Sequence, residues 1–235
     1  MTALPEARLA RVGVLEGRRV AFLARHGRGH SLLPAELPQR ANFWALKSLG
    51  VERVLAVSAV GSLVDDYHPG DMAVPAQLID RTAGQRPPTF FGNGVVAHIA
   101  MADPFCDSMR AAVAAAAHHA GATVREGATY VVIEGPAFGT RAESHLYRSW
   151  GAHIVGMTAL PEARLARVGV LEGRRVAFLE TGRAAVRRLL RELPSGGCAC
   201  HTALDAALVT PTEAIGDAAR QRLGPILARR LAVRL

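Results

Sequence analysis

Four short runs carry the side chains best suited to chemistry. Arg25-His26-Gly27-Arg28-Gly29-His30 sets guanidinium forks and imidazoles among glycines that allow close backbone approach. Such a set suits an oxyanion; taken alone, it equally suits a polar surface turn. Ser58-Ala59-Val60-Gly61-Ser62 offers hydroxyls and backbone amides of the kind that hold phosphate. Glu134-Gly135-Pro136-Ala137-Phe138-Gly139 is a turn with a single aromatic, and Gly156-Met157-Thr158 puts a thioether and a hydroxyl side by side. Cys198-Ala199-Cys200-His201 reads as a metal half-site or a tight local disulfide. Without a second ligand pair it gives no zinc site, and no metal is expected. The chain has no Walker loop and no complete GxGxxG fingerprint.

All four runs follow or close expected strands. Val20 to Leu23 reads as a strand running into Arg25. Arg53 to Val60 reads as a buried strand running into Gly61. Thr123 to Ile133 carries a strand ahead of Glu134, and His153 to Gly156 another ahead of Met157. Met72 to Val74 and Arg175 to Leu179 are further short strands. Between them lie helical patterns: Gln39 to Leu49, stopped by Gly50, and Asp103 to about Ala120, with Asp103 as cap and Pro104 in the first turn. Thr140 to Glu143 forms a capping box that opens a helix to about Trp150. Gly182 to Leu193 looks helical, Pro194 to Gly197 reads as a helix-to-helix turn, and Thr210 to Glu213 reads as a second capping box opening a helix to about Leu231. Alternation of this kind predicts an α/β fold, a mixed central sheet flanked by helices on both faces, in a single domain over residues 1–235. Small polar groups at the carboxyl ends of its strands lie where open α/β sheets bind ligands.

Composition narrows the classes. Of 235 residues, 50% are apolar and 5% aromatic, so the core must be built mainly from Ala, Val and Leu. The net charge is +8, and Lys47 is the one lysine. The arginines are scattered or lie on a helix (Arg183, Arg187, Arg188, Arg191), with no aromatics among them for base stacking, so no nucleic-acid partner is expected. No apolar run approaches the ~20 residues of a membrane span. No signal peptide is evident, which leaves the cytoplasm as the expected compartment.

One feature is unusual: residues 1–23 and 157–179 are identical. Natural repeats drift, so a perfect pair reads as a recent duplication, an engineered insertion, a generated sequence or an assembly error.

Taken in order, the runs resemble the trimeric purine nucleoside phosphorylase superfamily, most of all its members that cleave methylthioadenosine or methylthioinosine. The matching runs are Arg25 to His30, Arg40 to Lys47, Ala59 to Leu63, Pro69-Gly70-Asp71, Asp80-Arg81-Thr82, His98 and Asp103 to Cys106. They continue with Glu134-Gly135-Pro136, Arg141 to Ser144, Gly156-Met157-Thr158 and Pro161-Glu162, from Leu23 to about Arg167. The resemblance implies phosphate-dependent cleavage of a purine nucleoside, with inorganic phosphate as co-substrate and no cofactor. It puts Arg25, His26, Ser58, Ala59 and Thr158 on phosphate, Met157 against the ribose and Phe138 beside sugar and base. His98 falls where a neighbouring subunit closes the pocket, which implies a homotrimer or a dimer of trimers. Gly139 stands where relatives often carry Ser or Glu.

Two departures follow from the same resemblance. The family begins with a strand and a Gly-rich phosphate loop, where Met1 to Arg11 here copies a later segment. The family's strand after the Pro-Glu helix ends in Thr-Asp-x-Asp, whose carboxylates hold the purine. Here the corresponding segment ends Glu180-Thr181-Gly182-Arg183, leaving Glu180 as the candidate carboxylate. Loss of those elements implies weakened activity, or a non-catalytic relative that binds nucleoside or phosphate.

Overall fold

The computed structural model describes residues 10–27, 29–84, 86–168, 176–178, 183–193 and 207–231. Arg28, Glu180, the turn at residues 194–197 and the Cys198, Cys200 and His201 group lie outside them.

Eight strands form two four-stranded sheets. The first joins β1 (Ala10–Leu15), β2 (Arg18–Leu23), β8 (Val176–Phe178) and β3 (Arg53–Leu55) in the order β1-β2-β8-β3. The second joins β4 (Gly61–Ser62), β7 (Ile154–Gly156), β6 (Val124–Ile133) and β5 (Met72–Arg81) in the order β4-β7-β6-β5. Both are mixed: β1 runs antiparallel to β2 and β4 to β7, and the other pairings are parallel. The helices are α1 (Gln39–Ser48), α2 (Asp107–His119), α3 (Arg141–Ser149), α4 (Ala159–Val168), α5 (Arg183–Glu192) and α6 (Asp217–Leu231).

β2 is buried on both faces at Val20 and Ala21, as its apolar run Val20–Leu23 suggests, although Phe22 is 40% exposed. Val20 packs with Ala116 of α2 and Leu189 and Leu190 of α5, while Ala21 and Leu23 pack with Leu46 of α1 and Val51. β6 repeats the arrangement: Ala128, Tyr130 and Val132 meet Ile154 and Leu160, and Val131 and Ile133 meet Tyr147 of α3. A third cluster joins α1, α4 and α6 through Phe43, Leu165, Leu223 and Leu227. The mixed sheet with helices on both faces is therefore present.

The identical segments meet. Val20, Ala21 and Phe22 of β2 pair in parallel with Val176, Ala177 and Phe178 of β8, each residue beside its own copy. The end of the first copy also makes β1, an edge strand joined to β2 by a turn at Glu16 and Gly17.

Several elements differ from expectation. The run at residues 53–62 is not one strand; it leaves the first sheet after Leu55 and enters the second at Gly61. β5 is ten residues long, with register shifts around Pro75, whose missing N–H interrupts the ladder. α2 starts at Asp107, four residues after the expected cap, with Cys106 in the N-cap position and no side-chain cap. Thr210 does not cap: its hydroxyl accepts from the Val96 N–H (2.7 Å), residues 212–214 make a single 3-10 turn, and α6 begins only at Asp217. The Thr140–Glu143 capping box is formed, with the Glu143 N–H donating to Thr140 Oγ1 (3.2 Å) and the Thr140 N–H to Glu143 Oε2 (2.6 Å). Arg187 and Arg191 of α5 pair with Glu16, and Arg188 pairs with Glu192. Among the described residues, no helix is long and apolar enough to cross a membrane, and no group of three His, Cys, Asp or Glu could hold a metal ion.

Candidate active site

The site is assembled from four strand ends, those of β2, β3, β6 and β7, and the segments that follow them. β2 delivers Arg25 and His26 into a turn closed by Gly27, whose φ of 78° favours glycine. The Ser31 and Leu32 N–H groups donate to the His26 carbonyl (3.0 and 3.2 Å). His26 Nδ1 lies 2.8 Å from the Leu32 carbonyl, so that nitrogen carries the proton. The His26 and His30 rings stack 4.2 Å apart and nearly parallel.

Arg25 is buried and almost fully engaged. Its Nη1 donates to Glu162 (3.1 and 3.2 Å), and its Nη2 donates to the Val57 carbonyl (3.1 Å) and Thr158 Oγ1 (3.2 Å). The Nε atom is buried without a hydrogen-bond partner among the described residues. Glu162, from the first turn of α4, also accepts from Gln39 Nε2 at the start of α1 (3.4 Å). Burial pushes the Glu162 carboxyl above its ordinary value, and Arg25 and Gln39 pull it back. One arginine thus ties the end of β2, the loop after β3, the end of β7 and α4 together.

A second buried arginine, Arg86, does the same on the other side. Its Nε donates to Glu134 Oε1 (2.8 Å), and its terminal nitrogens donate to the Glu134, Met157 and Leu160 carbonyls (2.5 Å to Met157, 2.9 Å to Leu160). Glu134 Oε2 accepts from the Ala83 N–H (2.9 Å). Gly135 has φ of 70°, and a Cβ there would lie 2.5 Å from Met157 Sδ. The turn after β6 is therefore seated directly on the thioether at the end of β7.

Seven of the eight expected binding residues meet in one cleft of about 670 Å³: Arg25, His26, Ser58, Ala59, Phe138, Met157 and Thr158. Ser58 and Ala59 are exposed, Thr158 is buried, and Phe138 stands at the rim with 89% of its surface open. His98 is elsewhere in the chain, exposed, its N–H donating to the Ala207 carbonyl (2.7 Å). A second cavity of about 530 Å³ shares the Val57–Val60 wall. The lining combines Arg25, His26 and the Ser58 and Thr158 hydroxyls with the apolar Phe138, Met157, Ile133 and Val155. That pairing fits an anion set beside a largely apolar ligand.

Sequence reading assigned no role to Arg86 or Glu162. Arg86-Pro87-Pro88 carries no spacing signal, and Glu162 looks like an ordinary first-turn acid. Only the fold reveals that both are buried.

The description "Phosphorylase superfamily" belongs to the family model that matches residues 4–168. The S-methyl-5'-thioadenosine phosphorylase of Geobacter sulfurreducens is 44% identical to the chain, over 92% of it and 85% of the relative. That of Gloeobacter violaceus is also 44% identical, over 93% and 83%. Among solved structures, a methylthioadenosine phosphorylase from an Antarctic soil metagenomic library superposes with a TM-score of 0.81 at 40% identity, covering 93% of this chain and 86% of that one.

Proposed function

The chain belongs to the phosphorylase superfamily, and on that premise we propose that it cleaves the N-glycosidic bond of methylthioadenosine with inorganic phosphate. The observation that carries this reading is the meeting of seven separately predicted residues in one cleft, groups suited to an anion together with apolar ones. The products are free adenine and methylthioribose 1-phosphate. Methylthioinosine, giving hypoxanthine, is the alternative substrate of the same chemistry.

The bond from the anomeric carbon to the base nitrogen breaks as a phosphate oxygen bonds to that carbon, and the base leaves after gaining a proton. The sugar is cationic at the midpoint, so the anionic phosphate beneath it is both nucleophile and electrostatic stabiliser. In this chain Arg25 Nε, His26, the Ser58 and Thr158 hydroxyls and the Ala59 N–H would hold phosphate. Met157 would support the ribose, and Phe138 would wall sugar and base. Glu180, outside the described residues, is the candidate carboxylate for the leaving base, and the catalytic residue is otherwise unassigned. The open Phe138 ring and the exposed His98 support a homotrimer in which a neighbour's His98 covers the pocket.

The test is release of adenine from methylthioadenosine with and without inorganic phosphate, alongside calorimetry with each substrate. Phosphate-dependent release supports the reading. Binding of either substrate without turnover would establish a non-catalytic relative instead, and neither binding nor turnover would overturn both.

A further inference from the structure

Tyr130 lies in the second half of β6, 4% exposed, in a core cluster with Ala128, Val132, Ile154 and Leu160. Its hydroxyl is buried and has no hydrogen bond of good geometry to any described residue. A phenylalanine would fill the same space without enclosing an unpaired hydroxyl, so packing does not account for the oxygen. The hydroxyl faces the side chains of Ser58 and Thr158, the two alcohols assigned to phosphate. The backbone makes room for it: a Cβ at Gly156 would sit 2.3 Å from the Tyr130 oxygen. Thr158 Oγ1 already accepts from Arg25 Nη2 (3.2 Å), which spends a lone pair and leaves its own proton free to turn toward a ligand.

We propose that Tyr130 is a positioning residue of the phosphate subsite, its phenol proton fixing the hydroxyl of Ser58 or of Thr158 as a donor toward the anion. This rests on the functional reading above. A phenol is a better donor than an alcohol. When it donates to Ser58 or Thr158, that alcohol must direct its proton elsewhere, and the cleft is the open direction. Burial pushes the Tyr130 phenol above its ordinary 10.0, so it carries its proton near neutral pH, where phosphate is an anion.

The test is Tyr130→Phe in the full chain, with inorganic phosphate as the probe in calorimetry and in steady-state kinetics. Phosphate affinity is expected to fall about fivefold to tenfold and the KM for phosphate to rise by the same factor, the loss of one hydrogen bond to a neutral group. The KM for nucleoside should stay within about twofold, and the melting temperature of the unliganded chain should hold or rise. Ser58→Ala, on an exposed loop, gives the second arm. Its effect on phosphate affinity should be smaller in the Tyr130→Phe background than in the parent, because the two groups act through one bond. Unchanged phosphate affinity in Tyr130→Phe overturns the inference alone. Equal losses for phosphate, nucleoside and thermal stability overturn it in favour of a structural role. A parent chain that does not bind inorganic phosphate overturns the functional reading, and this inference with it.

Discussion

Replacing Glu162 by alanine is the sharpest test of how this site is held. Arg25 and Glu162 are 6% and 5% exposed, and the guanidinium is held mainly among protein groups. Removing the carboxylate leaves a buried cation, because an arginine does not give up its proton. It keeps the Val57 carbonyl and Thr158 Oγ1 but loses both contacts at 3.1 and 3.2 Å. Breaking a buried pair in this way costs about 3–5 kcal/mol. With a urea slope of about 2–3 kcal/mol per molar, the unfolding midpoint should fall by roughly 1–2 M. Glu162→Gln keeps the volume and one acceptor and should lose about half as much. Arg25→Met combined with Glu162→Ala should be more stable than Glu162→Ala alone, since the stranded charge is gone. The assay is urea unfolding followed by circular dichroism, paired with phosphate calorimetry, in which Glu162→Ala should bind at least tenfold more weakly. A Glu162→Ala midpoint within about 0.3 M of the parent, or a double variant no more stable than it, refutes the reasoning.

Three further outcomes are expected. Arg86→Met leaves the Glu134 carboxylate and three carbonyls without their donor, and should lower stability by about 3–5 kcal/mol and the melting temperature by about 6 °C or more; calorimetric scans within 2 °C of the parent count against the clamp. Gly135→Ala forces a side chain into left-handed backbone and against Met157 Sδ, costing about 1–2 kcal/mol and raising the KM for nucleoside more than that for phosphate; equal kinetics for both substrates contradict this. For pH, the Asp71 carboxyl is held below its ordinary 3.8 by the His68 N–H and Arg125, and Glu143 below its ordinary 4.5 by Thr140. Asp80 is also held below 3.8: burial raises it, but Thr82 and Arg164 outweigh that. Depressed folded values mean that this stability is present above the ordinary values and lost as pH falls through the folded ones, so urea midpoints should decline progressively below about pH 4.5. Asp71→Asn and Asp80→Asn should each flatten that decline, and an unchanged slope in both argues against these groups.

What was legible in the sequence was local. The β6 strand announces itself through a run of β-branched and aromatic residues, and its position is set within one residue of expectation. The Thr140–Glu143 box reads correctly because both partners lie within one turn and nothing else competes for them. The Thr210–Glu213 box has the same letters and fails, because a strand-like segment 114 residues away offers the Val96 N–H to the same hydroxyl. Asp103 misses its cap for want of helical geometry in the residues after Pro104, so α2 waits until Asp107. The binding residues were found through their order along the chain, which a resemblance can match. Arg86 and Glu162 escaped because a charged residue on its own signals exposure, and only the packing around it converts it into a buried clamp.

The two clamps divide the cleft between them and meet at a single peptide. Arg25 reaches the hydroxyl of Thr158 on the anion side, and Arg86 reaches the carbonyl of Met157 on the apolar side. Neither arginine is spare: one is balanced by Glu162, the other by Glu134, and each holds a loop from a different strand. The Met157–Thr158 peptide is therefore fixed from both directions by charge-assisted bonds out of reach of water, which are shorter and stronger than neutral ones. It follows that the positions of the ribose-side thioether and the phosphate-side hydroxyl are not independent. A displacement transmitted through either arginine moves both, and the geometry that aligns nucleophile with sugar is set at that joint. The duplicated segment begins at this same Met157. Its first six residues include Met157, Thr158, Leu160 and Glu162, so every group that the two clamps hold beyond the end of β7 comes from the duplicated segment itself.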